Sequence, residues 1–147
     1  MRVVVQRVRS ASVTVDGREV ARIGPGLLAL VGFSAQEPVA EQLPRMAQRL
    51  IKLRIFDDME GRLNCSLQDI QGDLLLIPQI TLTASLERGA RPSFHTAAPP
   101  TAAKDLFDRF VVEARFVFPR VLAGPFQAHM IVNLENDGPV TFVLTDS

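Results

Sequence analysis

The chain has 147 residues, 47% hydrophobic and 22% charged, which fits one self-supporting domain over residues 1–147 and excludes intrinsic disorder. Sixteen basic and sixteen acidic residues cancel, so overall charge points to no polyanionic partner and any nucleic-acid contact has to come from a local patch. Cys65 is the only cysteine and there are two histidines, which excludes an internal disulfide and argues against a zinc centre.

In chain order, the valine-rich Met1–Val8 reads as a strand, and Ala11–Val15 as a second with apolar and hydroxyl residues alternating. Asp16-Gly17 supplies a hairpin turn and Val20–Ile23 the return. Gly24-Pro25-Gly26 reads as another turn and Leu27–Phe33 as a buried strand, so the first third is expected to be a β-meander. From Val39 the period changes: Leu43, Met46, Ala47, Leu50 and Ile51 recur at spacings of three and four, opposite Arg45, Gln48, Arg49 and Lys52. This predicts an amphipathic helix with its regular part starting at Pro44, where a missing donor is harmless. Its basic face is either a solvated surface or a phosphate contact.

Arg54-Ile55-Phe56 reads as a short strand ended by Asp57–Gly61. Leu74–Leu82 is apolar on both faces and reads as a central strand, but Pro78 cannot donate to a ladder. Pairing is therefore expected to stop or bulge there, leaving Gln79 and Thr81 beside a broken ladder with backbone N–H groups open to a ligand. Glu87–Pro100 is a long polar connection of the kind that is functional or disordered. Thr101 is expected to cap a helix reaching about Phe116, with Leu106, Phe107, Phe110, Val111 and Ala114 facing the core. Ala128–Glu135 and Val140–Leu144 alternate like the arms of a hairpin whose tip is Asn136-Asp137-Gly138-Pro139-Val140-Thr141. The proline fixes φ and removes a donor, so such a tip could offer unpaired carbonyls to a ligand.

The pattern as a whole predicts an α+β fold: a mostly antiparallel, barrel-like sheet with two main helices packed on it. No G-x-S-x-G elbow, phosphate-binding glycine loop or deaminase zinc motif is present, and no cofactor or metal is expected. His95, after an aromatic in the long loop, is a better candidate for substrate contact than His129. No apolar run approaches the ~20 residues of a membrane helix and the first residues lack a signal peptide's apolar stretch, so a cytoplasmic protein with no membrane partner is expected.

Several separated stretches resemble one family, the D-aminoacyl-tRNA deacylases. They are Gln6-Arg7-Val8 with Ala11–Val15, Arg54-Ile55-Phe56, and Arg91-Pro92-Ser93-Phe94, together with Gln79-Ile80-Thr81-Leu82 and Asn136–Thr141, which are similar to the two signature motifs. The resemblance implies a homodimeric editing hydrolase that cleaves the ester between a D-amino acid, or glycine, and the terminal ribose of tRNA. It implies that Gly138-Pro139 is cis and enters the partner subunit's pocket to exclude L side chains, with Arg7 holding the tip. Gln79, Ile80 and Thr81 become the catalytic segment, whose backbone N–H groups receive the ester while the ribose 2′-hydroxyl assists in place of a protein base. Met130, near the terminal adenosine, and Phe94 join Gly138, Pro139 and Arg7 as substrate-binding residues. One departure is Pro78, where the family usually has serine. A proline-glutamine version resembles a sister group of animal deacylases that have a trans Gly-Pro and accept L-alanyl-tRNA, so relaxed chirality is the first alternative and a non-catalytic tRNA-binding module the second.

Overall fold

The valine-rich opening folds as a single strand, β1 (Arg2–Val15), where the sequence reads as two. The computed structural model, which describes residues 1–35 and 39–146, shows why. Val3 and Val5 face one hydrophobic core, while Val8, Ala11 and Val13 face another. The strand keeps its direction and changes the face it buries, and the ladder slips between Val8 and Ser10 at the changeover.

Asp16 and Gly17, both at positive φ (50° and 76°), make the expected tight turn into β2 (Arg18–Ile23), which leads to β3 (Gly26–Gly32). The meander and the second turn do not form. β2 and β3 both pair with β1, and Ala11 opposite Ile23 and Val8 opposite Gly26 lie in one unbroken register. Gly24-Pro25 merely interrupts a single long return arm. Pro25 cannot donate to the ladder, and Gly26 must lie bare against the next strand: a Cβ there would stand 1.9 Å from the Asp73 carbonyl oxygen.

That next strand, β6 (Asp73–Pro78), is parallel to β3 and to β7 (Val121–Ala123), so both its edges are occupied and both its faces are buried. It ends at Pro78, as the missing donor requires; Ile80–Thr83 form a 3-10 turn rather than the strand's continuation to Leu82. Parallel neighbours need crossovers, and the two main helices belong to them. α1 (Val39–Lys52) lies between β3 and β6, and α3 (Pro100–Val117) between β6 and β7. α1 begins five residues before Pro44, which sits inside it. The missing bond there affects one carbonyl, whereas burial of Val39 and Leu43 holds the first turns. α3 is opened by Pro100 behind Pro99, not capped by Thr101, since proline at the first position needs no donor. Its stripe of Phe107, Phe110, Val111 and Ala114 packs with α1 and the sheet in the larger core, with Leu106 partly buried at the margin.

A small hairpin, β4 (Phe56–Asp57) with β5 (Leu63–Cys65), displaces the strand expected at Arg54–Phe56, and a one-turn helix α2 (Leu67–Ile70) follows. α2 is held by a capping box, in which Ser66 Oγ accepts from the Asp69 N–H and the Asp69 carboxylate accepts from the Ser66 N–H.

The largest departure is at the end of the chain. The two expected arms are one strand, β8 (Ile131–Thr145), starting three residues later than the alternation suggested, and it pairs antiparallel with β1 from Arg2–Thr145 to Thr14–Ile131. Asn136–Thr141 is not a hairpin tip but a bulge. Gln6 faces Thr141 while Val8 faces Asn136, so the residues between those partners on β8 outnumber Arg7, the lone residue opposite, and are thrown out of the ladder. The Asp-Gly signal is local and says only that the chain deviates; the long valine-rich ladder offered by β1 decides that both flanks return to the same neighbour. The result is the expected α+β architecture, mostly antiparallel with a parallel sector and curled so that β2 faces β6 and β7 across the second core. Among the described residues no helix is long and apolar enough to cross a membrane.

Candidate active site

The candidate residues gather in two places. The first is the β8 bulge. Arg7 lies opposite it on β1, 8% exposed, a burial an arginine tolerates only when its donors are used. Nε donates to the Asp137 carbonyl (2.8 Å), while Nη1 donates to the Ile55 carbonyl (3.0 Å) and reaches Asp57 Oδ1 (3.4 Å). The planar guanidinium thus ties the bulge to the β4 approach, a fork a lysine could not span. Asn136 closes the bulge from within. Its Oδ1 accepts from the Val140 N–H (2.7 Å), and its Nδ2 donates to Thr141 Oγ1 (3.0 Å) and to the Val140 carbonyl (3.3 Å). The amide side chain thereby replaces the ladder bonds that Pro139 and the bulge delete. Gly138, at φ +150°, has no room for a Cβ, which would stand 2.7 Å from Val140 Cγ2 and 2.9 Å from the Val140 nitrogen. Gly138 and Pro139 are exposed at the tip, and the peptide joining them is cis.

The second place is the C-terminal end of β6. The Gln79 N–H completes the ladder to the Val31 carbonyl (2.8 Å), and the 3-10 turn then begins. The first N–H groups of such a turn, here those of Ile80 and Thr81, have no acceptor within it, and no side chain caps them. The turn is held from three sides: Thr83 Oγ1 donates to the Phe33 carbonyl (3.1 Å), Arg2 Nη1 to the Leu82 carbonyl (3.2 Å), and the Thr96 hydroxyl to the Thr83 carbonyl. Gly32 lets it lie close, since a Cβ there would meet the Gln79 carbonyl oxygen and Leu82 Cβ at 2.9 Å. The Gln79 side-chain amide donates to the Thr81 hydroxyl. Met130 joins this end of β6, its sulfur beside Gly124, whose N–H donates to the Leu76 carbonyl (2.8 Å). Phe94 stands half-exposed in the loop that returns from the turn through the Ser85–Ser93 bridge.

Met130 lies beside Gly124 and packs against the second core rather than in the turn, while Arg7, Gly138 and Pro139 are brought together, as are Gln79, Ile80 and Thr81. The two groups are not. The first centres on Arg7 and the second on Arg2, five strand residues apart, or about 17 Å along β1. Sequence reasoning named Arg7 but missed Asp57, the side chain of Asn136, and the supports Arg2, Thr83 and Thr96; only Asn136 was signalled, by its place in a motif. Ser93 Oγ and His95 Nδ1 lie 2.7 Å apart, and among the described residues no carboxylate hydrogen-bonds that imidazole, so the pair does not make a triad. No cluster of three or more metal-ligating side chains occurs among the described residues.

The family model described as D-Tyr-tRNA(Tyr) deacylase matches residues 4–145, spanning both groups of residues. The chain belongs to the D-aminoacyl-tRNA deacylase family. Relatives named D-aminoacyl-tRNA deacylase include one from Stenotrophomonas maltophilia, 53% identical over 145 residues, and one from Azotobacter vinelandii, 51% identical over 144; each alignment covers 98% of this chain and 99% of the relative. The protein is accordingly a hydrolase of the deacylase family. Among solved structures, a c-Myc DNA unwinding element binding protein superposes with a TM-score of 0.94 at 35% identity, covering 100% of this chain and 99% of the other. A probable eukaryotic D-amino acid tRNA deacylase, at TM-score 0.85 and 21% identity over 97% of both chains, shares the fold.

Proposed function

We propose that this deacylase hydrolyses D-aminoacyl-tRNA and glycyl-tRNA as a homodimer, its site completed by the Gly138-Pro139 tip of the second copy. The observation that carries the reading is the separation within one chain: an exposed tip clamped by Arg7 and Asn136, and about 17 Å along β1 a turn with uncapped N–H groups. A second copy brings the halves together, and the outer edge of β8 supports one. Among the described residues that strand pairs only with β1, and it carries Ile131, Phe142 and Val143 at 53%, 42% and 60% exposure, an apolar edge of the kind that recruits another chain.

In this reading the ester carbonyl lies against the N–H groups of Ile80 and Thr81, which stabilise the oxyanion formed when water adds. The ribose 2′-hydroxyl assists that attack. Collapse breaks the bond to the 3′-oxygen, which takes up a proton as the free amino acid leaves. Met130 and Phe94 flank the terminal adenosine. The tip holds the amino group and leaves no room for an L side chain, so discrimination comes from a clash that every L residue suffers and glycine escapes. No cofactor takes part, and the chain acts in the cytoplasm as one folding unit. The test is deacylation of matched D-tyrosyl-, L-tyrosyl-, glycyl- and L-alanyl-tRNA by the wild-type protein. Release from the D and glycyl esters alone is expected; comparable release from L-alanyl-tRNA would overturn the strict chirality.

A further inference from the structure

We infer that the exposed face of α1 is a docking track for the duplex acceptor stem of tRNA, leading the unpaired end along the terminus of β8 to the 3-10 turn. The inference rests on the deacylase reading for the identity of its partner, but its evidence lies elsewhere on the molecule. Arg45, Arg49 and Lys52 share the solvent face of α1 and, with Pro44 and Gln48, line a shallow hollow of about 400 Å³; no carboxylate lines it, though Arg45 is ion-paired with Asp146 at its rim. On a chain with no net charge this is a local concentration of cations of the kind a polyanion requires. Arg45 to Lys52 spans seven residues, about 10 Å of helix, enough to face a few successive phosphates of one strand.

The row is also aimed. Arg49 Nη1 donates to the Thr145 carbonyl (3.0 Å) and Arg45 Nη2 to Asp146 Oδ2 (3.3 Å), which fixes both guanidinium stems against the end of β8. Thr145 pairs with Arg2, whose own guanidinium donates to Leu82 in the 3-10 turn. Between them a cavity of about 380 Å³ opens, lined among others by Arg2, Thr83, Leu86, His95 and Thr145, with Glu87 as its one carboxylate. A strand leaving the α1 row thus meets a nucleotide-sized space before it reaches the catalytic turn. Lys52 donates only to Gln48 in its own helix (3.3 Å) and is easily redirected to a phosphate.

The experiment compares the wild-type protein with a triple variant, Arg45→Gln, Arg49→Gln and Lys52→Gln, and a charge-keeping double variant, Arg45→Lys and Arg49→Lys. Binding of uncharged tRNA is measured across a salt series, and deacylation is measured on D-tyrosyl-tRNA and on the D-tyrosyl ester of the terminal trinucleotide alone. For the triple variant we expect tRNA binding about tenfold weaker or worse, a logarithmic salt slope smaller by about 2 to 3, and KM for D-tyrosyl-tRNA raised with kcat unchanged. The trinucleotide ester is expected to be hydrolysed as by the wild type, and the lysine variant to bind nearly normally. Unchanged tRNA affinity and salt slope would overturn the track, as would an equal loss on the trinucleotide. If the wild type hydrolyses neither substrate, the deacylase reading fails while the tRNA-binding arm still decides the surface.

Discussion

Arg7 shows how one side chain links the ladder to the candidate site. Its charge is withdrawn from water between Gln6 and Val8 and opposite Leu27, and the Asp137 and Ile55 carbonyls with Asp57 offset that placement. Arg7→Ala is expected to cost about 2–3 kcal/mol in denaturant unfolding, because two carbonyls lose a charged donor. It should also lower kcat/KM on D-aminoacyl-tRNA more than Arg7→Lys, which keeps the charge without the fork. Thr81 makes the opposite test. Its hydroxyl accepts from the Gln79 amide and hydrogen-bonds to no base among the described residues, so Thr81→Ala is expected to lower kcat by less than about tenfold, whereas loss of a true nucleophile costs about 10⁴ or more. A drop of that larger size in single-turnover kinetics would make Thr81 the attacking group. These residues were legible in the sequence by type; their partners were not, because Ile55 and Asp137 contribute backbone oxygens, which leave no trace in residue identity.

At the scale of elements, two glycines on one strand do different work. Gly26→Ala drives a Cβ into the Asp73 backbone, which cannot withdraw without breaking the β3–β6 joint, so a loss of about 3 kcal/mol or more is expected. Gly32→Ala presses instead on the Gln79 carbonyl and Leu82 of the 3-10 turn. It should displace the turn and depress kcat more than it lowers the unfolding midpoint, measured on the same preparation. The turns near β5 and α2 make a pH test. The Asp58 carboxyl is held below the ordinary aspartate range by the backbone N–H of Arg62 and then that of Glu60, and that of Asp69 by the N–H and hydroxyl of Ser66. Folded values below the unfolded one mean that the stability they contribute is complete above about pH 4 and is lost as pH falls through the lower folded values. Acid titration should therefore remove their contribution to the unfolding midpoint below about pH 4, and Asp69→Asn should flatten part of the fall in that range.

The molecule as a whole is organised around β1, which carries both cores, the supports of both candidate groups and, through its partner β8, an open strand edge. Replacing Phe142 and Val143 by arginine places charge on that edge without touching either core. If the site is shared as proposed, sedimentation should report a monomer and activity should fall about tenfold or more, since a monomer would have no second Gly138-Pro139 tip. A fully active monomer would contradict the shared site. The two main helices, most of the long strands and the stop at Pro78 were readable from the chain alone, because periodicity and a missing donor act over a few residues, while the two motifs were readable only through their resemblance to a family. What needed the tertiary structure was which strand each segment chose. Whether β1 was one strand or two, whether Gly24-Pro25 turned, and whether Asn136–Thr141 was a hairpin or a bulge all depended on register with residues up to 143 positions away, as in the Arg2–Thr145 pair. Local sequence marks where the chain deviates from regular structure. The partner strand, through the apolar surface that only one register buries, decides where it goes next.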